Sequence, residues 1–447
     1  MDKSTSTTST FGTGSATEES KKILLENNRG GYTIPSSRLY PFQWNWDSGF
    51  IALGLSYFDK QKAYDEIRNM FKGQWSNGML PHINFHHLDP NYFPGPDVWG
   101  TKECKWAPKD LATSGITQPP VFGFIMSMMA KHLRNEGEFI ELAKEMFPKI
   151  VNFHRYLYEY RDPAKEGLVY IEHNWESGTD NSPLWDEAFE KIDVTNARDV
   201  SALRRDIKAV DASQRPTNEN YKRYIYLVDM FRECGYDDKL IYEKCPFLIQ
   251  DVLFNSMLVR SNEGLIELAA LIGEDAQEIK AWNQKSIASM NKKFWDEDSS
   301  FYYGFDLKAN SLIKIKASNG LMPLFAGACS PEQASALKNT LLKNFKSGND
   351  YMLCPSTALD EKAFNPLRYW RGPVWINVNW MLYHGLKRYE FEEEAVQVRK
   401  DSLRLVETAG LYEYFDPRVE TPDNQKGIGG DNFSWSAALY LDLLYSE

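Results

Sequence analysis

Six carboxylates of this chain occupy places where a sugar could be bound and its glycosidic bond cut. Asp47, Glu176, Asp180, Asp186, Glu413 and Asp416 all fall in loop-like clusters that mix aromatic rings with amides and guanidinium groups. The clusters are LYPFQWNWDSGF (39–50), NGMLPHINFHH with NYFPGP (77–96), SGITQPP (114–120), HNWESGTDNSPLWD (173–186), YWRGPVW (369–375) and LYEYFDP (411–417). Such a mixture makes a poor core and a good site for a polyhydroxylated ligand. Rings cover the axial C–H faces of a sugar, while Asp, Gln and Arg take its hydroxyls in paired hydrogen bonds. Hydrolysis needs two of the carboxylates. One is kept protonated by an apolar pocket, and the other is ionised to activate water or to attack the anomeric carbon. Residue types alone do not choose the pair, although Asp186 and Asp416 read most simply as N-cap or turn residues.

Other chemistries have weaker support. His82, His86 and His87 suggest zinc, but HINFHH lacks the HExxH arrangement and has no evident further ligand. There is no GxSxG elbow, no cysteine in a nucleophile signature and no Gly-rich phosphate loop after a strand. Neither a metal nor an organic cofactor is expected. Arg215, in DASQRPTNENYKRY with Tyr221 nearby, is either a loop salt bridge or a clamp for a carboxylate.

The elements that must position these clusters are helices. Asp59 precedes KQKAYDEIRNMFKGQW, whose Ala63, Ile67, Met70 and Phe71 share one face. Ser330-Pro331-Glu332-Gln333 is a capping box with proline at the first helical position. Similar patterns cover 17–27, 47–57, 120–134, 137–160, 217–233, 248–272, 274–294, 375–389, 391–408 and 433–445. Strand signals are few: 168–173, and a hairpin over 301–317. No βαβ alternation, internal repeat or linker appears after residue 20. The expectation is a polar tail over 1–16 and one large all-α domain over 17–447, with the chemistry in long loops at 82–118 and 174–216.

Bulk properties agree. The chain has 447 residues, 43% hydrophobic and 25% charged, with a net charge of −11. That balance disfavours nucleic acid and anionic membranes as partners and suits a small-molecule glycoside. No apolar run is long enough to span a bilayer. The five cysteines are scattered and lack CxxC spacing. With no signal peptide evident, they point to a reducing, cytoplasmic setting. Nothing here excludes a homo-oligomer.

Together the clusters resemble glycoside hydrolase family 63, and within it the short enzymes that hydrolyse mannosylglycerate or glucosylglycerate. The likeness runs in one order from about residue 38 to the C-terminus, and WESGTDNSPLWD, YWRGPVW, SGITQPP, NGMLPHI and YFPGP carry it. The resemblance implies an (α/α)6 barrel and an inverting mechanism with Asp180 as general acid and Glu413 as general base. It implies a sugar pocket lined by Tyr40, Trp44, Trp46, Asp47, Tyr92, Gln118, Trp175 and Trp375, with Arg215 and Tyr221 holding a glycerate carboxylate. Trp175 is a candidate for the apolar wall beside the acid. The chain departs from the pattern at Asn432-Phe433-Ser434-Trp435, where a Gln is expected before Ser-Trp. This change implies a reshaped aglycone pocket, with Asn432 as the nearest amide. Family relatives acting on other small α-glucosides or α-mannosides, a sugar epimerase and a non-catalytic sugar-binding protein of the same fold are the competing readings.

Overall fold

Among the residues that the computed structural model describes (13–347, 351–418 and 425–446), outer and inner helices alternate along the chain. The outer set is α1 (Thr13–Glu26), α3 (Lys60–Phe71), α5 (Gly137–Tyr160), α7 (Gln277–Lys293), α9 (Pro331–Thr340) and α11 (Glu392–Ala409). The inner set is α2 (Asn45–Leu55), α4 (Phe122–Leu133), α6 (Val252–Ile272), the single turn α8 (Pro323–Ala326), α10 (Ile376–Arg388) and α12 (Ser434–Tyr445). The inner helices touch in the order α2, α4, α6, α8, α10, α12 and back to α2, so the ring closes. This is an (α/α)6 barrel.

Sequence decides which ring a helix joins. Every residue of α2 (NWDSGFIALGL) is buried, as is nearly all of α12 (SWSAALYLDLLY). Helices apolar around their whole circumference must be enclosed, whereas α3 buries one face and leaves its lysines outside. Caps mark the starts. Asp59 accepts from the Lys62 N–H, and Ser330 and Gln333 form the reciprocal capping box, each such cap contributing about 1 kcal/mol. Glycine lets the inner helices approach closely. A Cβ on Gly54 of α2 would lie 2.4 Å from the Ala438 Cα of α12, and one on Gly264 of α6 would lie 2.3 Å from the Gly123 carbonyl oxygen of α4.

The helix boundaries follow the sequence reading to within a few residues, with three differences. Helix α1 begins at Thr13, so positions 13–16 of the expected tail are helical; residues 1–12 lie outside the described residues. Segment 168–173 is not a strand, because only Ile171 pairs, in a single bridge to Ile249. The expected 301–317 hairpin is split: Phe305–Asp306 pairs with Ser311–Leu312 and with Ile249–Gln250, while Phe301–Tyr302 turns back onto Trp295–Asp296.

The inner helices start at one end of the barrel, and the loops gather there. Three short strands, β1 (Gln43–Trp44), β2 (Ile83–Phe85) and β3 (Ala112–Thr113), tie the first long loop to the start of α2. An unforeseen hairpin of β4 (Tyr412–Phe415) and β5 (Gly427–Asp431) precedes α12, with its register broken between Ile428 and Asp431. The cysteines are unpaired thiols. No helix among the described residues is long and apolar enough to cross a membrane.

Candidate active site

Two connected chambers open at the loop end of the barrel. The inner one, about 410 Å³, is lined by Trp46, Asp47, Gln118, Trp370, Glu413, Phe433 and Trp435. The outer one, about 700 Å³, is lined by Arg38, Tyr92, Phe93, Trp175, Arg205, Asp206, Arg215 and Tyr221. Tyr40, Trp44, His82, Asp180 and Tyr369 face both.

Asp180 owes its position to a buried ion network. Glu176, in the same loop, accepts from both terminal nitrogens of Arg161 at 3.0 and 3.1 Å, from the Glu172 N–H and from the Thr117 N–H. One carboxylate therefore pins the 173–186 loop to the SGITQPP loop, and breaking such a buried pair costs about 3–5 kcal/mol. Gln118, next to Thr117, uses its side-chain oxygen to accept from the Trp46 N–H. Gly178, at φ +73°, brings the loop backbone against the Trp46 indole, where a Cβ would sit 2.6 Å from the ring. Asn174 donates to the Asp180 carbonyl and Trp185 Nε1 donates to the Thr179 carbonyl, closing the loop onto itself.

Glu413 projects from β4. Its Oε1 accepts from the Tyr40 hydroxyl at 2.7 Å and its Oε2 from the Gly430 N–H of β5 at 3.0 Å. The Arg215 guanidinium lies 3.7 Å from Oε1, donates to Tyr40 Oη at 3.1 Å, pairs with Asp206 at 3.3 Å and stacks over the Tyr369 ring. Tyr40 and Tyr369 share a hydrogen bond of 3.2 Å between their hydroxyls.

These surroundings set the protonation states. Burial raises the Asp180 carboxyl to about 7, against the pull of Arg215 and with the support of the Glu413 charge. Burial raises Glu413 too, but Arg215, the Tyr40 and Tyr369 hydroxyls and the Gly430 N–H all oppose the rise. Asp47 is pushed well above the usual carboxylate range, by burial first and then by Glu413 and Asp180.

The other expected residues sort clearly. Tyr40, Trp44, Trp46, Asp47, Tyr92, Gln118, Trp175, Arg215 and Tyr221 all face the chambers. Trp375 does not: fully buried, it stacks 3.7 Å behind Trp370, which presents its ring to the inner chamber instead. Tyr221 donates to the Phe93 carbonyl, which holds its ring at the outer wall. Asn432 is exposed and lines neither chamber, while Phe433 packs edge-on against Tyr40 in the inner one. Asp186 forms a two-pronged pair with Arg371, and Asp416 pairs with Arg418, so neither faces the site. The three histidines diverge, with His82 near Ser114, His86 on Gln43 and His87 near Tyr32. No group of three or more potential metal ligands occurs among the described residues.

Comparison with known proteins agrees with this geometry. Residues 40–436 match the family described as the mannosylglycerate hydrolase MGH1-like glycoside hydrolase domain. A mannosylglycerate hydrolase from Thermus thermophilus is 43% identical over 94% of this chain and 98% of its own length. The crystal structure of a GH63 mannosylglycerate hydrolase from another strain of that species, in complex with Tris and D-glycerate, superposes with a TM-score of 0.88 at 42% identity, covering 95% of this chain and 99% of that one. The chain belongs to glycoside hydrolase family 63. A glucosylglycerate hydrolase from Mycolicibacterium hassiacum is more distant, 31% identical over 94% of this chain and 96% of its own length.

Several residues of this family 63 hydrolase had no individual signal in the sequence. Tyr369 and Trp370 lie in YWRGPVW, where two tryptophans flank a Gly-Pro turn and nothing in the string says which one faces the ligand. Arg205 and Asp206 sit in the long 174–216 stretch, which lacks periodicity, and His82 stands out in the sequence only as a metal candidate. Isotope-edited infrared titration of the folded enzyme should find the Asp180 carboxyl titrating near pH 7, and Arg215→Met should raise that midpoint by removing the cation that lowers it. An unchanged or lower midpoint would mean that Arg215 does not govern the acid.

Proposed function

We propose that this enzyme hydrolyses mannosylglycerate with inversion, Asp180 acting as general acid and Glu413 as general base. The observation that carries the reading is the unequal set of donors around two carboxyls facing one chamber, both of them raised by burial. Asp180 is kept protonated to about pH 7, while Glu413 is surrounded by donors and a cation that favour its ionised form. A carboxyl held near 7 beside one with more donors to lower it suits an acid and a base.

The sugar fits the inner chamber. Trp46, Trp370 and Trp435 offer ring faces to its C–H surfaces, and Asp47 with the Gln118 amide takes its hydroxyls. A water hydrogen-bonded to Glu413 attacks the anomeric carbon as Asp180 protonates the departing oxygen. Inversion requires the two carboxyl groups to stand roughly 6.5–9.5 Å apart, leaving room for that water. Trp175 shares the outer chamber with Asp180 and helps exclude solvent from the acid.

The aglycone fits the outer chamber, where Arg38, Arg205 and Arg215 face Asp206 as the one opposing carboxylate besides the acid. That excess of cations favours an anionic leaving group such as glycerate. Glucosylglycerate is the second reading, favoured by the Mycolicibacterium relative. Phe433 brings an apolar ring close to Tyr40 and tightens the boundary between the chambers.

Asp180→Asn and Glu413→Gln should each lower kcat on mannosylglycerate by about 10²–10⁴-fold without lowering Tm, and wild-type kcat/KM should fall as pH rises through about 7, where Asp180 loses its proton. Near-wild-type turnover by either variant would remove that assignment. Arg205→Ala should raise KM for mannosylglycerate by about tenfold, equivalent to about 1.4 kcal/mol, and leave neutral mannosylglycerol unaffected. Equal effects on both would place the aglycone elsewhere.

A further inference from the structure

An inverting hydrolase ends each turnover with its protons misplaced. The base has gained one from water and the acid has given one away, so the proton must return before the next cycle. The base is the secluded partner: Glu413 is 1% exposed and Tyr369 is buried beside it, whereas Asp180 and Tyr40 are half-buried and face both chambers. Between the carboxylates stand two phenols. Tyr40 Oη touches Glu413 Oε1 at 2.7 Å and Tyr369 Oη at 3.2 Å. Tyr369 also faces both chambers beside Asp180, and its hydroxyl helps to hold both carboxyls down.

We propose that Tyr369, alone or with Tyr40, is the relay that carries the proton from Glu413 back to Asp180 after each hydrolysis. The inference rests on the acid and base roles proposed above. In the longer route, protonated Glu413 gives its hydrogen to Tyr40 Oη, the Tyr40 hydroxyl hydrogen passes to Tyr369 Oη, and the Tyr369 hydrogen passes to the Asp180 carboxylate. In the shorter route Tyr369 takes the hydrogen from Glu413 directly. Either way Glu413 ends as a carboxylate, Asp180 as a carboxylic acid, and both phenols are whole.

The hydrogen-bond inventory allows this. A tyrosine hydroxyl has one donor and two acceptor positions. At Tyr40 one acceptor position takes Arg215 at 3.1 Å, which leaves the other for protonated Glu413 and the hydrogen for Tyr369. Burial holds both phenols well above their ordinary range, so the transfer is concerted and no phenolate accumulates. Tyr369 is also held at φ +38°, a left-handed conformation that is strained for a non-glycine residue and clusters at functional sites. Its ring lies under Arg215 and edge-on to Trp375 and Tyr414, so phenylalanine keeps the packing and loses only the hydroxyl.

The test is rapid-quench kinetics of Tyr369→Phe on mannosylglycerate, with and without added imidazole as a small proton carrier. The expected result is a burst approaching one product per site. A steady phase slower than wild type by about tenfold or more should follow, and it should speed up in proportion to imidazole while wild type does not respond. Tyr40→Phe, which breaks only the longer route, should show a weaker version of the same pattern. A first turnover slowed as much as the steady state, a steady rate equal to wild type, or a slow phase indifferent to imidazole would each overturn the relay. None of these outcomes would touch the acid and base roles, which stand or fall on Asp180→Asn and Glu413→Gln.

Discussion

Two carboxyls facing one chamber walled by aromatic rings cannot both carry full charge cheaply, and the rest of the site is arranged around that fact. Charges in a low-dielectric cavity repel strongly, so one group holds its proton unless a cation intervenes. Arg215 stands close to Glu413 but is shared with Asp206 and Tyr40, so it compensates only part of the burial. Glu413 also has the Gly430 N–H and two phenols, Tyr40 and Tyr369, to lower it, where Asp180 has Tyr369 and its own backbone N–H. On the proposed reading, that asymmetry is what separates the acid from the base before any substrate arrives.

Holding that asymmetry requires rigid supports on both sides. Asp180 rides on a loop fixed by Glu176 and the buried Arg161, which in turn is bound to Glu172 and Asp238. Glu413 rides on a short hairpin whose second strand supplies the Gly430 N–H. Both supports rest on the starts of the inner helices, which converge at this end because glycine contacts such as Gly54 with Ala438 close the ring tightly. The barrel is thus the frame that lets loops from remote parts of the chain share one chamber.

Much of this was legible in the sequence. Helices announce themselves through periodicity and caps, and Asp59, Thr217 and Ser330 all cap where their residue types suggest. What was not legible has physical reasons. The hairpin bearing Glu413 includes GIGGD, which lacks the side-chain alternation that marks a strand, and its register is broken. Helix α8 is four residues long, too short for any period. Nine of the ten residues expected to line the site besides the two carboxylates do face it. Trp375 fails because two rings in YWRGPVW stack face to face, and only tertiary packing decides which is in front. Of the Arg215 alternatives, the loop ion pair is seen, with Asp206, and the guanidinium also faces the outer chamber.

The departure at Phe433 takes on a definite shape. It is a buried ring between Tyr40 and Trp435, and Asn432 lies outside the chambers, so no amide replaces the missing one there. On the proposed reading, recognition of an anionic aglycone then falls to the arginines of the outer chamber. The most direct test of the central claim, one-step displacement by a water held on Glu413, is proton NMR of the first-formed sugar from mannosylglycerate, recorded before mutarotation. The account predicts β-mannose as the initial product; initial α-mannose would mean net retention and would contradict it.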